Sequence, residues 1–167
     1  MRGMVRLRPL MFAVLIGAAA PTAHAHEPAT KQTPAATPLS PAAADAARTV
    51  DAFQAALAKG DGSAALALLA DDVLILEGGG AERSKAEYAS HHLAADMAFT
   101  KAVPGRTTRR SGAAVGDVAW IASEGRTTGR YKDKPVDRVT AETIVLRRSG
   151  SGWLITHIHW SSAAAKP

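Results

Sequence analysis

Apolar side chains recur along the chain with two periods, and the change of period separates a helical first part from a sheet-forming second part. Val50, Phe53 and Leu57 fall on one stripe at helical spacing, which predicts a helix over 44–59 that Gly60 stops as a left-handed cap. Asp61 or Ser63 caps a second helix over 64–70, whose Leu66, Leu69 and Val73 point the same way. The unbroken run Val73-Leu74-Ile75-Leu76 reads as a buried strand, ended by Gly78, Gly79 and Gly80. Ser84-Lys85-Ala86-Glu87 has the spacing of a capping box, so a third helix starts there, carries Tyr88, His91 and His92, and ends before Phe99. Residues 103–110 alternate as a strand, and 111–116 read as a turn.

Beyond Asp117 the period is two. Residues 118–131 carry Val118, Trp120, Ile121, Thr127, Thr128 and Tyr131 and stop at Lys132-Asp133-Lys134-Pro135. Residues 136–148 return, Ser149-Gly150-Ser151-Gly152 turns the chain again, and Trp153 opens the last strand, WLITHIHWSS. Strands of this length need one face covered. The expected fold is therefore α+β: a curved antiparallel sheet, a cone, covered on one face by three helices.

Composition changes this picture at the N-terminus. Arg2, Arg6 and Arg8 precede an apolar run over 10–20 and the small-x-small triplet Ala23-His24-Ala25, which together describe a secretory signal peptide over 1–25. The run is too short to span a bilayer. Residues 26–43 are Pro, Ala and Thr with few larger apolar side chains, a flexible spacer. The domain is then 44–161, with a tail over 162–167, and the address is periplasmic or secreted. Without the three leading arginines, the 20 basic residues become 17 against 15 acidic, so +5 falls to +2 and a nucleic-acid partner loses its support. With no cysteine, no Gly-x-Ser-x-Gly and no phosphate loop, nucleophile chemistry has no support, and Gly78 to Gly80 is a turn rather than a nucleotide fingerprint.

The segments FQAALAKGDGSAALALLADDVLILEGGG, SKAEYASHH and AETIVLRRSGSGWLITHIHWSS resemble the SnoaL-like and DUF4440-like branch of the nuclear transport factor 2-like (NTF2-like) superfamily, over roughly 45–161. The ending Trp-x-Ile-x-His-x-His-x-Ser is also similar to the association domain of calcium/calmodulin-dependent protein kinase II. The resemblance implies a ligand cavity between the concave sheet and the helices, and sheet-to-sheet pairing in a homodimer. It also implies that Glu124, Ile144 and Trp160 stand where the kinase association domain has pocket arginines, and that a pocket histidine matches the region of His91 and His92.

Within that frame His92 is four residues after Tyr88 and four before Asp96, so on a continuous helix the three share a face and Asp96 orients the imidazole. Glu124 shares a strand face with Trp120, Ala122 and Arg126. A four-residue turn would set it with Thr143, a bulge or shorter turn with Glu142. His157 and His159 alternate with Trp160, so with Trp160 inward they face away together with Trp153 and Ile155; a bulge near Thr156 would reverse this parity. The expected pocket is Tyr88, His92, Asp96, Trp120, Glu124, Glu142 and Trp160, taking a small, mostly apolar molecule without a cofactor. Two alternatives stand beside binding. One is an isomerase, dehydratase or hydrolase using Glu124 and His92 for proton transfer; the other is zinc or copper held by His92, His157 and His159 with a carboxylate.

Overall fold

The computed structural model describes residues 39–166. The expected signal peptide over 1–25 and the first part of the expected spacer lie outside the described residues. Helix α1, Pro41–Lys59, opens with an extended Ser40 whose Oγ accepts from the Ala43 N–H at 3.3 Å, and Pro41 occupies its first turn, where no N–H is needed. The helix thus starts ahead of the expected residue 44, and Ala43 is fully buried. Gly60 closes the helix at φ 75°, as its sequence position predicts. The short α2, Gly62–Ala67, is capped by Asp61, which accepts from Ala64 N–H at 2.9 Å.

Strand β1, Leu69–Glu77, turns through Gly78 and Gly79 at positive φ into β2, Gly80–Glu82. Ser84 then caps α3, Lys85–His91, by accepting from Glu87 N–H. The third helix is not continuous. His92 departs from helical geometry at φ −116°, ψ −29°, and a separate α4, Leu93–Ala102, follows. Strands β3, Gly105–Val115, β4, Val118–Tyr131, β5, Lys134–Ser149, and β6, Gly152–Ala164, form the meander. Residues 111–115 belong to β3 rather than to a turn, and β6 continues into the expected tail.

The six strands are ordered β2-β1-β6-β5-β4-β3 in one sheet. Every pairing is antiparallel except that of β1 with β6, which is parallel. Val50, Phe53 and Leu57 of α1 bury against Ile121, Ile144, Leu146, Ile155 and Ile158 on the helix-facing side of the sheet. Among the described residues no helix is long and apolar enough to cross a membrane.

Two single-residue bulges set which side chains face the helices. In β3 the partners jump from Thr107↔Gly125 to Arg109↔Glu124, leaving Thr108 as the extra residue. In β6 they jump from Leu146↔Ile155 to Val145↔His157, leaving Thr156. The second bulge corrects the assignment of Trp153 and Ile155 to the outer face. Both are buried, and after Thr156 the inward positions become Ile158 and Trp160.

Candidate functional site

The inward face of the meander carries three crosswise rows. The register Glu77↔Trp160, Glu142↔Trp160, Ser123↔Glu142 and Arg110↔Ser123 aligns Glu77, Trp160, Glu142, Ser123 and Arg110 across five strands. Two residues nearer the hairpin ends lies a row of small and hydroxyl side chains, Ser162, Thr140, Gly125 and Thr107. Two further on stand Arg138 and Thr127. Helices α1 and α4 roof these rows with Gln54, Leu57, Ala58, Asp96 and Phe99, and Val103 closes the end, enclosing a cavity of about 740 Å³. Gly125 leaves room there: a Cβ would lie 2.9 Å from both Arg106 O and Thr140 Oγ1.

Glu142 is the centre of the first row. Its Oε2 accepts from Trp160 Nε1 at 2.8 Å and from Gln54 Nε2, so one oxygen takes both donors. Phe53 stacks under the Trp160 ring at 6.4 Å, with 14° between the planes, and fixes its direction. Burial raises the Glu142 pKa, opposed by the bonds from Trp160 and Gln54 and by the Arg110 charge. Arg110 is itself committed, through Nε to Ser123 Oγ at 3.2 Å and through Nη1 to Asp51 Oδ1 at 2.6 Å. On the roof, Tyr88 Oη donates to Asp96 Oδ2 at 2.9 Å. Burial raises Asp96, against the Tyr88 bond and the His92 ring; burial also raises Glu77, helped by the nearby Asp96 charge.

Of the residues expected in the pocket, Asp96, Glu142 and Trp160 line this cavity, and Tyr88 stands behind Asp96. His92 is not among the cavity-lining residues; the helix breaks at it, and its ring acts on Asp96 and Glu77 only by its charge. Its Nδ1 pairs with the carboxylate of Glu82, a buried residue on β2, and its ring is 55% exposed. Trp120 is corrected to the outer face, where it is 43% exposed. Glu124 borders the cavity along its strand, but alternation with Ser123 turns its carboxylate outward, 66% exposed and 4.0 Å from Arg109. The two-residue turn pairing Tyr131 with Lys134 keeps Glu124 on the face of Ala141 and Thr143, away from Glu142. The pair Glu124 and His92 thus stands on opposite sides of the sheet and cannot share a proton.

The histidine metal site is corrected for the same kind of reason. The Thr156 bulge exists, yet it turns Trp153 and Ile155 inward and leaves His157 and His159 outward. His157 Nδ1 lies 2.9 Å from Leu74 O, and among the described residues no three His, Cys, Asp or Glu side chains gather as metal ligands. The sequence reading missed Gln54, Glu77, Ser123, Arg110 and Arg138. The signal for Ser123 was alternation itself, since it pairs directly with Glu142, while that for Arg110 was hidden by the uncounted bulge at Thr108.

The model of the SnoaL-like domain matches residues 47–165. A crystal structure from Shewanella frigidimarina, designated a candidate ketosteroid isomerase, superposes with TM-score 0.69 at 39% identity, covering 74% of this chain and 100% of that one. A Streptomyces avermitilis structure, designated a candidate dehydratase of the NTF2-like family, gives TM-score 0.63 at 21% identity, covering 73% and 97%. The hub of calcium/calmodulin-dependent protein kinase II from S. rosetta gives 0.60 at 19%, covering 76% and 100%. No curated protein matches the chain.

Proposed function

Since the chain belongs to the SnoaL-like domain family and has the NTF2-like fold, we propose that it binds a small, mostly apolar molecule in the cavity between α1, α4 and the sheet. The observation that carries this is the row Glu77, Trp160, Glu142, Ser123, Arg110 exposed to about 740 Å³ of space, with Leu57, Phe99 and Val103 as apolar walls. A few convergent polar groups in an otherwise apolar concavity orient a guest without tying it to water. Titration with the neutral dye N-phenyl-1-naphthylamine tests the reading. Saturable binding is expected in the wild type, and loss of it in Ala58→Phe, which fills the cavity from an exposed helix position. Binding that Ala58→Phe leaves untouched would place the dye elsewhere and end the proposal.

A second reading, proton transfer, is favoured by Glu142 and by the designation of the Shewanella relative. A carboxyl group buried under Trp160, its pKa raised by that burial, is a stronger proton acceptor than an exposed carboxylate. On a β,γ-unsaturated ketone Glu142 would take the proton between the carbonyl and the double bond. It would then return that proton at the γ carbon as the double bond moves into conjugation. Glu142→Gln should reduce such turnover at least about a hundredfold while retaining binding; unchanged turnover removes the role.

The outer face is the proposed dimer surface. Leu74, Val118, Trp120 and Val139 are exposed there, joined by His159, and the hub-like neighbour favours assembly of copies through this fold. Export remains a proposal resting on the pattern over residues 1–25.

A further inference from the structure

We propose that the guest of this cavity is an organic anion, an apolar body carrying one carboxylate- or sulfonate-type group seated at Arg138; this deepens the binding reading and rests on it. Three arginines border the cavity: Arg106, Arg110 and Arg138. Arg110 is neutralised by Asp51. Among the described residues, neither Arg106 nor Arg138 forms an ion pair with any carboxylate.

Arg138 is nevertheless held in place. Its Nε donates to Ser162 Oγ at 2.9 Å and its Nη2 to Ser162 O at 3.0 Å, so one edge of the guanidinium is fixed by a single residue of the neighbouring strand. The opposite edge, Nη1 and the second Nη2 hydrogen, has no protein acceptor among the described residues. A planar fork with one edge anchored and the other open has the geometry that recognises a two-oxygen anion.

The acidic groups do not oppose this. Glu142 and Glu77 lie in the first row and Arg138 in the third, four residues along β5 from Glu142, or about 13 Å at 3.3 Å per residue. Neither carboxylate pairs with Arg138, and Arg138 is not among the charges that shift Glu142 or Glu77. Asp96 comes from the roof, its carboxylate occupied by Tyr88. Between the rows, Thr140 and Thr107 offer hydroxyls, and Gly125 offers room.

N-phenyl-1-naphthylamine and 8-anilinonaphthalene-1-sulfonate share one body and differ by the sulfonate. Fluorescence titration of the full chain should show the sulfonate dye bound about ten times more tightly than the neutral one. Arg138→Gln should bring that ratio close to one with the neutral dye unaffected, and Ala58→Phe should abolish both. In the wild type, raising the salt concentration should lower the ratio severalfold, a measurement independent of any variant. If both dyes depend on Ala58 but bind equally, or Arg138→Gln binds the sulfonate as tightly as wild type, or salt leaves the ratio unchanged, the anion assignment falls and the cavity reading stands. If neither dye responds to Ala58→Phe, the cavity reading falls and takes this inference with it.

Discussion

At the scale of single residues, Glu142 makes the fold sensitive to pH. Burial holds its carboxyl protonated above the ordinary value of 4.5, so over that interval the folded chain binds more protons than the unfolded one. Stability from this group is therefore greatest at low pH and falls as pH rises from about 4.5 through the raised value. Urea unfolding of Glu142→Gln should lose less stability than wild type as pH rises above about 4.5; parallel slopes would show that the side chain is solvated. Asp96 and Glu77, raised in the same direction, leave part of the slope in the variant. Tyr88→Phe deprives Asp96 of its hydroxyl donor and should cost about 1–3 kcal/mol by the same measurement. Three of the pocket residues, Asp96, Glu142 and Trp160, were legible because their chemistry and their strand or helix positions agreed. Glu124 and Trp120 were not, since in a two-sided strand a carboxylate beside tryptophan looks the same whichever face is inward, and only Ser123 opposite Glu142 decides it.

At the scale of elements, turn chemistry was the most readable part. The limits of β4, the capping box at Ser84 and the left-handed stop at Gly60 follow from local residue type, because each is satisfied within a few residues of itself. The hairpin after β4 is less well matched. Lys132 and Asp133 adopt φ 48° and 64°, a left-handed pair that glycine and asparagine tolerate better. The double substitution Lys132→Asn with Asp133→Gly should raise stability by about 0.5–1 kcal/mol in thermal unfolding. No gain would mean that loss of the Lys132 cation over the Tyr131 ring offsets the relief. The break at His92 and the bulges at Thr108 and Thr156 were illegible because none is dictated locally. Each is imposed by a distant partner: Glu82 draws His92, and the neighbouring strands decide where an extra residue is accommodated.

For the whole molecule, the one-sided cover of the sheet is the decisive fact. Helices bury the concave face, and the opposite face presents Trp120 and Val118 to solvent in a single copy. Light scattering on the wild type should give twice the monomer mass at micromolar concentration, and Trp120→Lys with Val118→Lys should return it to the monomer without lowering helix content. A wild type that scatters as a monomer removes the dimer. The parallel pairing of β1 with β6 has a different consequence, one of timing. Leu74 accepts from His157, 83 residues later, and β1 has no partner on that side until the end of the chain arrives. At about 5–20 residues per second, a ribosome leaves the apolar run Val73 to Leu76 unpaired for on the order of ten seconds. A nascent chain is thus expected to need a holding chaperone over that interval, and a stop codon before Trp153 would release a polypeptide without β6, the strand that joins β1 to β5.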